Sequence, residues 1–258
     1  VHDEWTELVM PLYAEDDNDA LGRQRGELLW DRFKETDFPS VERGEISSRS
    51  FAALYQQRPV PMDGGLIKGA WLEHRYSVIP DDLRIIMALD AAAKTGLAND
   101  YSALVVLGCD KTSFLIRDVI RGRWDFPDLR NAVLMAHAKH HPSTIYIEDA
   151  SNGTSLVQTL KAETLLPIVP VTARGSKISR VEAQTGLLES GRVLLPDERK
   201  IAAPWLLEFE RELLAFPGGK YDDQVDALAL ALSQARNERL DIPLFFAALR
   251  NSNYPWRS

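Results

Sequence analysis

The acidic residues best placed to do chemistry fall in three groups far apart in the chain. Asp90 ends the run RIIMALDAA, Glu148 and Asp149 end STIYIEDA, and Asp222, Asp223 and Asp226 open KYDDQVDALALAL. The first two groups follow apolar runs of the kind that build buried strands, where a carboxylate is costly unless it is paired or holds a metal ion. In the third, Val225, Leu228, Ala229 and Leu232 form one helical stripe. Asp222 and Asp226 are four residues apart and Asp223 and Asp226 three, so they share a neighbourhood across one turn. Helical spacing sets Asp222 and Asp226 at the border of the apolar stripe, facing inward. Hard oxygen ligands drawn from three segments suit two divalent cations about 4 Å apart, the arrangement that supports phosphodiester hydrolysis.

Each acid also has a plain structural use. Asp222 or Asp223 could cap the helix and complement its dipole, and Asp149 could open a turn. Asp90 and Glu148, at the ends of buried strands, are harder to explain that way. Positive charge for a polyanionic substrate is offered by TARGSKISRVEA, where Arg174, Lys177 and Arg180 lie within two turns beside Gly175 and Ser176, and by Lys94 in the loop after Asp90. A basic helix start works against the helix dipole, which favours a use over simple solvation. The histidines of HAKHH, 137–141, read as an exposed helix end, since the carboxylates already supply hard ligands. Trp124, Trp205 and Trp256 are spaced too irregularly for a stacking platform.

These groups need a scaffold that brings strand ends and a helix start together. RIIMALDAA, YSALVVLG and SFLIRDVI are short, apolar and bounded by turn residues, and predict three consecutive antiparallel strands. Asp125 to His141 carries Leu129, Val133, Leu134 and Ala138 at helical spacing and stops at Pro142. STIYIEDA then predicts a strand, NGTSLVQTLKAE a helix, LPIVPVT a strand, KISRVEAQTGLLES a helix and GRVLLP a short extended piece. Helices around Trp205 to Phe216 and from Asp222 to about Arg236 complete the order. The expected fold is α/β, a mixed central sheet with helices on both faces.

The N-terminal stretch is less regular. A turn at Pro11 and the acidic run EDDND precede a short helix in ISSRSFAALYQQ, capped by Ser47 or Ser48, and the breaker-rich RPVPMDGG follows. The expected organisation is a linker or junction over 1–78, a catalytic domain over 79–237 and a C-terminal tail over 238–258.

Composition narrows the classes. With 258 residues, 45% of them apolar, the chain can bury a real core. A net charge of -8 argues against a general polyanion binder but not against a metal-dependent nuclease, whose acids are offset by ions. The single cysteine, Cys109, excludes an internal disulfide and suits a reducing compartment. No apolar run nears the roughly 20 residues of a membrane span, and VHDEWTEL has no signal-peptide character. The start at Val1, without methionine, suggests a fragment of a longer protein.

Strand-terminal Asp90, Glu148 after the next helix, and DDQVDALALAL on the last helix together resemble the RNase H-like nuclease superfamily. LDAAAKTGLANDYSALVVLG, YIEDASNGTSLVQTLK, GSKISRVEAQTGLLESGRVLLP and YDDQVDALALAL more specifically resemble the nuclease domain of the large terminase subunit of tailed bacteriophages and prophages, over about Leu83 to Arg236. ALYQQRPVPMDGG and WLEHRY resemble that family's junction between ATPase and nuclease. The resemblance implies a DNA packaging motor whose C-terminal nuclease cuts concatemeric double-stranded DNA in the bacterial host's cytoplasm. Its partners would be the portal and the small terminase subunit. No G-x-x-x-x-G-K-[ST] loop is present, so the ATPase domain of the same polypeptide would precede Val1. The resemblance also implies two Mg²⁺ or Mn²⁺ ions held by Asp90 as bridging ligand, Glu148 and Asp223, with Asp226 in support. Helical geometry favours Asp226 and Asp222 instead, and Asp149 has a supporting place at most.

Two other classes share these residues. A junction resolvase or other RNase H-like nuclease would use the same acids, and a noncatalytic RNase H-like scaffold would lack some of them. Sugar-kinase and actin-like ATPases need glycine-rich phosphate loops that AAAKTGLAND does not supply.

Overall fold

The computed structural model describes residues 8–15, 19–58, 65–92, 101–150 and 152–251, with side chains to residue 237. Strands β1 (Arg75–Tyr76), β2 (Arg84–Asp90), β3 (Ser102–Cys109), β4 (Phe114–Gly122), β5 (Thr144–Glu148), β6 (Ile168–Val171) and β7 (Val193–Pro196) form one sheet in the order β1-β7-β4-β3-β2-β5-β6. β2, β3 and β4 are antiparallel neighbours, as short consecutive runs bounded by turn residues predict, while β5, β6 and β7 join in parallel. The parallel pairs are those whose strands are separated by helices long enough for a crossover.

Period-2 alternation divides the sheet into two buried faces. Met87, Leu89, Leu104, Val106, Ile145 and Ile147 pack under α2 (Phe126–His140) and α3 (Asn152–Glu163). Ile86, Ala88, Ala103, Val105 and Tyr146 pack under α4 (Lys177–Glu189), α5 (Leu206–Ala215) and α6 (Asp223–Asn251). The expected mixed sheet with helices on both faces is what the chain forms. Leu228 and Leu232 are fully enclosed, each contributing roughly 2 kcal/mol, and they hold the first turns of α6 against β2 and β3.

Local signals act as the sequence dictates. Asp125 caps α2 by accepting from Asp128 N–H at 3.0 Å, and the helix ends at His141, left-handed at φ 48, before Pro142. α6 runs to Asn251, through Pro243, rather than ending near Arg236; 237–242, NERLDI, holds no glycine or proline to stop it where the apolar stripe ends.

The N-terminal region carries the α-helix α1 (Ser48–Leu54), capped by Ser47 Oγ. It is seated on the sheet-bearing part: Ser48 N–H and Oγ donate to Glu189 at 2.8 and 2.7 Å, and Arg236 Nη2 donates to the Glu45 carbonyl at 2.8 Å. A Cβ on Gly186 of α4 would stand 2.7 Å from the Ile46 carbonyl carbon, so backbone meets backbone there. Leu66, Ile67 and Leu72 belong to the same buried cluster as α4, α5 and α6, and β1 is the edge of the sheet beside β7.

Candidate active site

Strand register decides which side chains meet at the carboxyl ends of β2 and β5. The two strands are parallel through Leu89 and Ile147, so Asp90 and Glu148, one residue further, close them side by side. Asp90 faces Ala103 of β3, and Ala103 faces Arg121 of β4. Residues opposite one another project to the same face. Glu148, Asp90, Ala103 and Arg121 therefore make one row across four strands, on the face covered by α4, α5 and α6.

α6 brings acids to this row and α4 brings cations. Asp226 is 2% exposed. Arg180 Nη1 donates to Glu148 Oε2 at 2.9 Å and Nη2 to Asp226 Oδ1 at 3.3 Å. Lys177 Nζ lies 2.9 Å from Asp222 Oδ1 and 2.7 Å from Asp226 Oδ2. Two cations thus bridge three carboxylates. Asp223 turns the other way, toward α5 and β4, where Arg121 Nη2 stands 3.9 Å from its Oδ2. Arg121 also reaches Glu208 at 2.6 Å and Glu212 at 3.3 Å. Buried Glu212 accepts from the backbone N–H and the Nε2 of Gln224, both at 2.7 Å, which pins the start of α6 to α5.

Acidities follow from this crowding. Burial, then the carboxylates of Asp226 and Glu148, push Asp90 up to about 7, against the opposing charge of Lys177. Burial and Glu212 push Asp223 up to about 6, with Arg121 opposing. Asp226 is raised by burial, while Lys177 and Arg180 pull the other way. For Lys177 itself, burial lowers the value, but the bonds to Asp226 and Asp222 prevail and raise it. Such displaced acids mark a place where protein cations offset the negative charge incompletely.

The structure brings Asp90, Glu148, Asp222, Asp226, Lys177 and Arg180 together, with Asp223 on their border. Asp226 is the buried acid of the helix, whereas the Asp222 side chain is 37% exposed and the Asp223 side chain 13%. Asp149 is exposed and accepts from Thr154 Oγ1 at 2.7 Å, a contact that steadies the start of α3. Arg174 is exposed along a cleft between β6, α4 and α6. Lys177 and Arg180, expected to face DNA, point onto the carboxylates, because those are the nearest strong negative charges. Lys94 lies outside the described residues.

Supporting residues escaped the sequence reading. Asn152 Nδ2 donates to the Ala92 carbonyl at 2.8 Å, and Ala92 N–H donates to Ser102 Oγ at 3.0 Å, fixing the backbone beyond Asp90. Gly153 lets α3 begin directly behind Glu148: a Cβ there would stand 2.0 Å from the Glu148 carbonyl oxygen. Asn152 and Gly153 follow the ED pair within YIEDASNG, but only the fold shows what they touch.

The donors suit a hard divalent cation, since they are all carboxylates. Asp226 Oδ2 is buried without an aligned hydrogen bond, its close cation being Lys177. Among the described residues no three acidic, histidine or cysteine side chains converge on one ion position. Arg180 and Lys177 hold Glu148 and Asp226 toward α4. By charge and donor chemistry the site fits a divalent ion, whose entry requires those two side chains to yield.

The family model described as terminase RNaseH-like domain matches residues 87–235. The large terminase nuclease from thermophilic phage G20c, solved with bound cobalt, superposes with a TM-score of 0.51 at 19% identity, covering 67% of this chain and 99% of that one. The same nuclease with bound zinc gives 0.50 at 19% identity, covering 66% and 98%. The large terminase from another thermophilic bacteriophage gives 0.48 at 11% identity; the match covers 66% of this chain and 44% of that terminase, less than half its length. No curated protein matches the chain. The likeness to the G20c nuclease is one of fold, and the family match takes in most of β2, all of β3 to β7, the acids and both cations of α4 in one span. The chain belongs to the terminase RNase H-like domain family.

Proposed function

We propose that this chain is a metal-dependent DNA endonuclease, the C-terminal part of a terminase large subunit that cuts concatemeric viral DNA during genome packaging. The observation that carries the proposal is that Arg180 ties Glu148, at the end of β5, to Asp226, at the start of α6, beside strand-terminal Asp90, which burial and the charges of those two acids push up to about 7. The G20c nuclease is solved with bound cobalt and with bound zinc, which supports divalent-metal use. Asp90, Glu148, Asp226 and Asp223 would hold two Mg²⁺ or Mn²⁺ ions, with Asp222 and Asp149 in support. Such ions supply an activated water and charge stabilisation at the phosphate.

The chain's own residues do the rest. Glu148 and Asp226 are positioned by Arg180, Asp223 by the Arg121 and Glu212 pair, and the backbone after Asp90 by Asn152 and Ser102. Lys177 and Arg180 neutralise the acids and, once released, face the substrate's phosphates together with Arg174; Lys94 is assigned the same task. The partners in this proposal are double-stranded DNA, an ATPase domain of the same polypeptide joined through residues 1–78, the portal and the small terminase subunit. The setting is the host cytoplasm; among the described residues no helix is long and apolar enough to cross a membrane. Plasmid cleavage with Mn²⁺, Mg²⁺ or EDTA tests the proposal: nicking and linearisation with either metal, and none in EDTA, support it, and intact plasmid throughout rejects it.

A further inference from the structure

Arg121, the last member of the cross-sheet row, begins a second group of charges on the flank of the acids away from α4. Its guanidinium carbon lies 3.7 Å from the centre of the Tyr101 ring and 4.8 Å from that of Tyr221, and the two rings meet edge to face at 5.1 Å. Around this pair stand two more cations. Arg123 covers Tyr101 at 4.4 Å and donates to Tyr221 Oη at 3.3 Å, while Lys220 Nζ lies 5.1 Å from the Tyr221 ring.

The three cations are not equivalent. Arg121 is offset by Glu208, Glu212 and Asp223 and is nearly enclosed. Arg123 and Lys220 are exposed, and among the described residues neither has a carboxylate partner; what holds them is the faces and the hydroxyl of two tyrosines. Ring faces orient a cation without cancelling its charge. In a chain of net charge -8, two exposed cations held beside an acidic centre without a counter-ion form a preset anion site.

We propose that Arg123, Lys220 and the Tyr221 hydroxyl, braced by Tyr101 over Arg121, bind the DNA backbone through its phosphates, on the opposite side of the acidic centre from Arg174, Lys177 and Arg180. Arg121 and Asp90 are two strand spacings apart, about 10 Å. That is the rise of about three nucleotides at roughly 3.4 Å each. A backbone crossing Asp90 therefore reaches Arg123 and Lys220 within a few nucleotides of the cut, and the two basic flanks hold the substrate across the acids. The inference rests on the nuclease proposal and adds a contact to it.

The test is the salt dependence of binding to a fluorescently labelled DNA duplex, read by anisotropy in Ca²⁺, with plasmid cleavage in Mn²⁺ alongside. Replacing Arg123 and Lys220 together by Ala should weaken binding at least several-fold and reduce the slope of log K against log salt by about 0.9 for each charge removed. Melting temperature and its rise on adding Mn²⁺ should not change. Lys111→Ala, which removes one exposed charge at the far end of the β3–β4 hairpin, should leave the slope as it is, and Arg123→Lys with Lys220 intact should keep most of the binding. A double variant with wild-type affinity and slope, in a protein that binds and cuts DNA, overturns this inference alone. A wild-type protein that neither binds nor cuts DNA overturns the nuclease proposal and this contact with it.

Discussion

Glu148 of β5 and Asp226 of α6 are tied to each other through one guanidinium: Arg180 reaches the first at 2.9 Å and the second at 3.3 Å. Lys177 makes the matching link between Asp226 and Asp222. The acids are thus paired with the protein's own cations, which a divalent ion would have to displace.

That competition predicts opposite changes in one variant. Lys177→Met should lower metal-free stability by only about 1 kcal/mol, since the lysine is half exposed. It should also enlarge the rise in melting temperature on adding Mn²⁺, because the acids bind the ion without a rival. Thermal melts with and without Mn²⁺ measure both; an unchanged or smaller Mn²⁺ effect removes Lys177 as a competitor.

Asp90→Asn should abolish cleavage and change the pH dependence of stability in a defined direction. The acid stands at about 7 in the folded chain against an ordinary 3.8, so folding favours its protonated form. Its contribution is fully present below about 4 and is lost as pH rises through about 7. Asparagine has no proton to lose. In EDTA the variant should therefore gain on the wild type as pH rises from 4 to 8, by on the order of 4 kcal/mol, or roughly 8–16 °C in Tm. A gap that stays constant with pH contradicts the crowding described for this acid.

Gly153→Ala tests the turn behind Glu148. A methyl group 2.0 Å from a backbone carbonyl cannot be placed without moving α3 or the end of β5. The variant should lose about 1–3 kcal/mol and much of its cleavage, although no acid is altered. Denaturant unfolding and plasmid nicking on the same preparation check it.

Glu212→Ala should be more damaging than its distance from Asp90 suggests. It leaves Arg121 and the Gln224 amides without their shared carboxylate in a buried place, a loss of about 3 kcal/mol in denaturant unfolding. It also frees the first turn of α6. Glu208→Ala, which removes an exposed partner of the same arginine, should be nearly neutral.

Much of this was legible in the residues. β2, β3 and β5 are announced by apolar runs, two of them ending on acids, α2 by Asp125 and Pro142, and α6 by its stripe. Helical spacing places Asp226 inward, where it lies, and overstates Asp222, because a residue just before the first turn is not yet held by the helix. Lys177 and Arg180 were visible as basic residues on α4 but not as partners of the acids, since pairing between α4 and α6 is set by packing on the sheet. Arg121 was hidden by register. β4 carries a bulge opposite Val106 and Leu107, with Arg117 as its extra residue, and only after that shift does Arg121 fall in line with Ala103 and Asp90. No periodicity reveals an insertion of one.

The segment docked at Ile46 and Ser48 has a mechanical side. α4 is 13 residues long, about 20 Å, with Lys177 and Arg180 on its first turn and Gly186 and Glu189 under the docked segment at its last. A helix of that length behaves as a stiff rod on the scale of these contacts, and its two ends cannot shift independently by much. Load applied to the chain near residue 46 therefore reaches the two cations through the rod, and tension at one end is felt as a displacement of charge at the other.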